Sequence, residues 1–291
     1  MSAEIPSIES ARSPGESGTG RVCVFQSFRT ENVPAWISTS METVASWTRT
    51  RGYDYRFFGD EIFRCLPDWY LDACNGHKWP MSDLARLLTA KELLAEGYAR
   101  VLWFDADLLV FNESKFDVDL RESFAFCREP WIGPLENPLK TTLRNPRHVF
   151  RLRKKAAWQG YYTLMNVNNA LFQISDCWFL DSYIDSVLYT GRKMGEFRKQ
   201  HMGTDLLTAF HGVLRFPLIR HVGAFSSFVV ESIAGGNKRI LDAYMALAGE
   251  PLYAANICFS EFGKRGQRHE KAVAMLLDSG GEAINRHLQL R

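Results

Sequence analysis

The chain has 291 residues, 46% hydrophobic and 23% charged, which is ordinary for a folded protein and enough for one large α/β domain. A formal net charge of +2 argues against a dedicated nucleic-acid binder. The six cysteines, Cys23, Cys65, Cys74, Cys127, Cys177 and Cys258, form no C-x-x-C pair and no zinc spacing, so reduced thiols in a cytoplasmic protein are expected.

Residues 1–20 are rich in Ser, Gly, Pro and Glu and read as a disordered leader, with residues 21–291 as a single domain. They lack the apolar core of a signal peptide, and no later run has transmembrane length. Arg21 to Ser27 reads as a first strand, Pro34 to Arg51 as a helix ended by Gly52, and Tyr53 to Phe58 as a second strand. Residues at the carboxyl end of a strand in an open α/β sheet line the ligand site, which singles out Gln26 and Ser27. Residues 60–80 read as loop or short helices. Ser82 is a candidate N-cap for a helix from Asp83 to Glu96, closed by Gly97. Asp83 and Arg86 then fall on one face near the helix start, as a plain ion pair or as two groups lining one cleft.

Val101 to Phe111 follows, an apolar run broken by Asp105-Ala106-Asp107. On a continuous strand Asp105 and Asp107 would point to the same face. Two carboxylates crowded together call for a cation. Oxygen ligands suit Mg²⁺ or Mn²⁺, ions that keep waters and bind substrate phosphates. This pair, ending the third strand of a β-α-β-α-β array, is a candidate metal–diphosphate site.

Residues 112–160 lack periodicity, and the cations between 140 and 155 predict a solvated surface or a contact with an anionic acceptor or membrane surface. Asn168 and Asn169 lead into an apolar strand, either as turn-forming residues before it or as amides that suit a hydroxyl-rich ligand. Trp178 to Thr190 reads as a helix. His201 opens another, with Thr204 or Asp205 near its N-cap. Gly212 to Pro217 reads as a short strand, Ile233 to Arg239 as a flexible turn, and Ile240 to Leu247 and Lys271 to Leu277 as short helices.

The ordered segments Ser82-Asp83-Leu84-Ala85-Arg86 and Gly97 to Asp107 resemble nucleotide-sugar glycosyltransferases of the GT-A fold, closest to family 8 and the DXD sugar transferases. Asn168-Asn169-Ala170, Thr204-Asp205-Leu206-Leu207 and His221-x-Gly223 resemble later family segments. The Lys-Pro-Trp that usually follows the His is replaced here by Ala224-Phe225-Ser226-Ser227. The resemblance implies a Rossmann-like, mostly parallel sheet with flanking helices. It implies transfer of a sugar from a nucleoside-diphosphate donor, a UDP-sugar, to a hydroxyl acceptor, with retention, in polysaccharide or glycoconjugate synthesis. Asp105, Ala106 and Asp107 would hold the donor diphosphate through Mn²⁺ or Mg²⁺, with His221 completing the metal shell. Asp83 and Arg86 would contact the donor, while Asn169 and Asp205 would lie near the sugar and acceptor. Asp205 is the candidate carboxylate for stabilising an oxocarbenium-like transition state or deprotonating the acceptor. Two rival readings are a catalytically silent nucleotide-sugar or glycan binding protein and a haloacid dehalogenase-type phosphotransferase. The second places its D-x-D nearer the N-terminus than this chain does.

Overall fold

The computed structural model describes residues 20–134, 160–195, 202–258 and 266–288. The leader and the basic stretch 140–155 lie outside those residues.

The chain is α/β, with a mixed six-stranded sheet flanked by helices. Strands β1 (Val22–Ser27), β2 (Asp54–Phe58) and β3 (Arg100–Phe104) are joined through helix α1 (Ala35–Thr50) and, after a 3-10 turn at Asp60–Cys65 and the short α2 (Asp68–Cys74), through α3 (Lys78–Ala95). β1 lies between β2 and β3 and is parallel to both. Its Cys23, Val24 and Phe25 are fully buried, as a strand covered on both faces requires. β6 (Tyr161–Ile174) then pairs antiparallel with β3, β5 (Phe124–Pro134) antiparallel with β6, and β7 (Leu218–Ile219) parallel with β5, giving the order β2-β1-β3-β6-β5-β7. The parallel half is the β-α-β-α-β array expected from the sequence. The antiparallel insertion of β6 makes the whole sheet mixed.

The apolar run Val101 to Phe111 is two strands rather than one. β3 ends at Phe104, and β4 (Leu108–Val110) belongs to a second, three-stranded sheet in the order β4-β9-β8, with β8 (Val222–Phe225) and β9 (Ala254–Ile257). Asp105-Ala106-Asp107 is the turn between the sheets. The amide of Leu108 donates to the carbonyl of Asp105 at 3.0 Å, and that of Ile257 to the carbonyl of Asp107 at 2.8 Å. The turn brings the buried Asp105 carboxylate against Arg86, whose charge offsets the cost of its burial.

Four more expectations are corrected. α3 starts at Lys78, so Ser82 is inside the helix and is not its cap. Pro80 sits in the first turn, where the N–H it lacks needs no helical partner. β5 includes Pro130 and Pro134, which hid it from sequence patterning. Among the described residues β7 borders β5 only at Phe126 and Cys127, and beyond them that edge carries no strand ladder and tolerates proline. Asn168 and Asn169 lie inside β6, not at its start. Gly212 to Leu214 continue helix α5 (Met202–Leu214), which stops where Arg215 adopts a left-handed φ of 53°. The remaining helices are α4 (Trp178–Met194), α6 (Ser227–Gly235), α7 (Lys238–Ala248), α8 (Gly266–Asp278) and α9 (Glu282–Asn285).

Candidate functional site

The acidic turn lies at the carboxyl ends of β1 and β3 and is held from five directions. The Asp105 amide donates to the Ala170 carbonyl of β6 at 2.7 Å. The Asp105 carbonyl accepts from Gln26 Nε2 at 3.1 Å, and Gln26 Oε1 in turn accepts the Tyr55 hydroxyl at 2.9 Å. Gln26 is fully buried, so its work is to fix the turn. Ser27 is spent on the carbonyl of Gly59, at 3.3 Å.

The Asp105 carboxylate is saturated on one oxygen. Oδ1 accepts from Arg86 at 2.8 Å and from Trp103 Nε1 at 2.7 Å. Oδ2 has one weaker partner, Asn256 Nδ2 at 3.3 Å, and keeps lone-pair capacity. Burial pushes the Asp105 carboxyl up, against the pull of the Arg86 guanidinium, Trp103 and Asn256. The Arg86 guanidinium also lies over the Trp103 ring, 4.9 Å from its centre.

Arg86 is the hub of a buried polar network. It reaches Asp83 at 3.7 Å and donates to the carbonyl and Oδ1 of Asn169, at 3.0 and 3.1 Å. Asn169 Nδ2 reaches Asp83 Oδ1 and the Tyr183 hydroxyl, each at 3.3 Å. The other oxygen of Asp83 accepts the amide of Gly203 at 3.0 Å, in the first turn of α5. A carboxylate there also meets the positive end of the helix. Close approach requires glycine, because a Cβ at residue 203 would stand 2.1 Å from Asn169 Oδ1. Asp83, Arg86 and Asn169 are all buried. The network therefore ties α3, α4, α5 and β6 to Asp105 and fixes its carboxylate.

His221 does not join the acidic turn. It precedes β8, and Val222 pairs with Ala254, whereas the Asp107 carbonyl meets Ile257 at the far end of β9. Four steps of strand rise separate the two levels, roughly 13 Å. The imidazole Nδ1 lies 2.8 Å from the Pro251 carbonyl, and an acceptor there makes Nδ1 the donor. The His221 amide donates to buried Glu250 at 3.0 Å, which steadies the left-handed φ of 63°. The missing Lys-Pro-Trp segment matches this different local structure.

Among the described residues no group of three or more His, Cys, Asp or Glu is arranged to hold a metal ion. Asp105 and Asp107 nonetheless make an all-oxygen pair, and hard cations that complete their shell with waters and phosphates need no more than one or two protein carboxylates. A second feature fits a hydrated cation. Asn256 spends its Nδ2 on Asp105, leaving its buried Oδ1 without a hydrogen-bond partner. Such an orphan costs about 1–3 kcal/mol unless a donor such as water reaches it.

Sequence patterning missed a further carboxylate. Glu129 of β5 is 7% exposed. Its Oε1 accepts from Asn168 Nδ2 at 2.8 Å and its Oε2 from Asn166 Nδ2 at 3.1 Å. It pairs across the ladder with Asn166, so Glu129, Asn166 and Asn168 share one face. Asn168 is pinned, because its Oδ1 accepts the Ala170 amide at 2.9 Å. Burial pushes the Glu129 carboxyl up to about 7, with the amides pulling down and the charge of Asp205 pushing further up. Asp205 itself is exposed, in the first turn of α5. Burial and then the charges of Asp107, Glu129 and Asp105 raise the thiol of Cys258, so all three carboxylates lie within electrostatic reach of that residue just after β9. Asn166 and Asn168, two apart on one strand, were the available signal for this cluster.

No family model and no curated protein sequence matches the chain. Among solved structures, it matches a glycosyltransferase involved in the glycosylation of the major capsid of PBCV-1. The identity is 11%, covering 86% of this chain and 98% of that one, with a TM-score of 0.40. It also matches mouse xyloside xylosyltransferase 1 in its apo form, at 10% identity over 81% of this chain and 97% of that one, again with a TM-score of 0.40. These structural matches to glycosyltransferases extend over most of the chain.

Proposed function

We propose that the chain is a metal-dependent glycosyltransferase that moves a sugar from a UDP-sugar to a hydroxyl acceptor. The observation that carries this reading is the rigid acidic turn at the carboxyl ends of β1 and β3, where open α/β sheets bind nucleotides. Asp105, through Oδ2, and Asp107 would hold Mn²⁺ or Mg²⁺. When bound, the cation supplies the positive charge that stabilises a leaving diphosphate. This chain's own residues do the orienting. Arg86 and Trp103 fix one oxygen of Asp105, Gln26 fixes its carbonyl, and Asn256 fixes the second oxygen. Asp83 and Asn169 act one step back, by holding Arg86 and the start of α5. The free cysteines are compatible with a reducing, cytoplasmic compartment. No helix among the described residues is long and apolar enough to cross a membrane.

Release of UDP from a panel of UDP-sugars, with and without Mn²⁺, tests the reading. Metal-dependent release above the uncatalysed rate is expected. Metal-dependent nucleotide binding with no turnover on any donor would favour the silent binding protein instead.

A further inference from the structure

Among the described residues, Glu129 is the one buried carboxylate near the acidic turn that has no cationic partner. Among the described residues Asp83 and Asp105 share Arg86, and Glu250 has Arg220 at 2.9 Å and Arg128 at 3.5 Å. Glu129 has amides: Asn166 and Asn168 on β6, with the Thr204 hydroxyl on α5. A buried carboxylate stabilised only by neutral donors is costly, and such groups concentrate where chemistry uses them. Its place in the fold is equally pointed. β3 stops at Phe104, opposite Leu171, while β5 and β6 continue past that level as a two-stranded ribbon. The open edge of that ribbon is covered by α5, through Thr208, whose Oγ1 accepts the Val167 amide at 3.0 Å. Glu129, Asn166 and Asn168 stand on the ribbon just beyond the acidic turn.

We propose that Glu129 is the general base that takes the proton of the acceptor hydroxyl. The assignment rests on the transferase reading and refines it, replacing Asp205, whose carboxylate is exposed. In the step, the acceptor O–H proton passes to a Glu129 oxygen and the acceptor oxygen bonds to the anomeric carbon. The bond from that carbon to the diphosphate oxygen breaks, and its electron pair leaves with the diphosphate. Asn168 cannot turn away, because the Ala170 amide fixes its Oδ1, so one lobe of the carboxylate keeps a constant direction. Glu129 accepts from Asn166 and Asn168 on β6 and from Thr204 on α5, and the titratable groups in electrostatic reach of it are Asp205 on α5, Tyr244 on α7, Cys258 just after β9 and Cys127 on its own strand. The exposed Asp205 acts on Glu129 through its charge, which raises the carboxyl further.

Water can stand in for the unknown acceptor, so hydrolysis of a UDP-sugar with Mn²⁺ is the assay. Glu129→Gln should lower kcat by about 100-fold or more. Binding of UDP with Mn²⁺, read by calorimetry, should stay unchanged, and Glu129→Asp should recover part of the rate. The wild-type rate should fall as pH drops through about 7, and the Gln variant should lose that limb. A Gln variant that keeps wild-type hydrolysis, or keeps the pH limb, overturns the assignment while leaving the transferase reading intact. A wild-type protein that binds no nucleotide with Mn²⁺ overturns both.

Discussion

Replacing Glu129 by Gln should stabilise the protein at alkaline pH relative to acid pH. Glutamate in an unfolded chain releases its proton near 4.5, while the native Glu129 holds its proton up to about 7. Between those values the native state binds more protons than the unfolded state, so raising the pH weakens folding. The gap corresponds to about 3 kcal/mol, fully expressed above pH 7 and absent below 4.5. Gln has no proton to lose. It also exchanges one amide hydrogen bond for a mismatch with Asn168 or Asn166, a cost of about 1–3 kcal/mol that does not change with pH. The difference in unfolding free energy, variant minus wild type, should therefore rise by about 3 kcal/mol between pH 4 and pH 8. Guanidinium titrations of both proteins at several pH values, followed by tryptophan fluorescence, measure it directly. Other titrating groups cancel in the difference. A difference that stays flat across this range would refute the account of Glu129 as an unpaired buried carboxylate.

Arg86→Met should destabilise the fold by about 3–5 kcal/mol, because it leaves Asp83 and Asp105 without their shared cation; equilibrium denaturation reads this, and a loss under 1 kcal/mol would contradict it. Gly203→Ala should cost about 1–3 kcal/mol through the clash with Asn169 Oδ1, and a variant as stable as wild type would remove the argument for that glycine. His221→Ala should leave Mn²⁺-dependent UDP affinity unchanged and cost about 1 kcal/mol of stability from the lost bond to the Pro251 carbonyl. A loss of metal affinity in calorimetry would return His221 to the metal shell.

The parallel half of the sheet was legible because its signals are local. Val22 to Phe25 is apolar on both faces, the α1 period is clear, and Gly52 and Gly97 end their helices. Asp105 and Asp107 stood out for the same reason, as charges inside an apolar run. What the sequence hid is long-range. The division of Val101 to Phe111 between two sheets depends on β9, more than a hundred residues downstream. Arg86 and Asp83 look like a helical ion pair, but their partners Asn169, Gly203 and Asp105 come from three other places in the chain. Glu129 was masked by the proline that follows it, since Pro130 made β5 look like loop. The His221 expectation came from resemblance to a motif whose following residues are absent here, and the imidazole points at Pro251 instead.

Calorimetric titration of UDP into the protein with Mn²⁺ present, repeated without metal and with Asp107→Ala, tests the central claim most directly. The account predicts binding that requires both the cation and Asp107. UDP binding of equal strength with and without Mn²⁺, or unaffected by Asp107→Ala, would contradict the reading of Asp105-Ala106-Asp107 as the metal–diphosphate site.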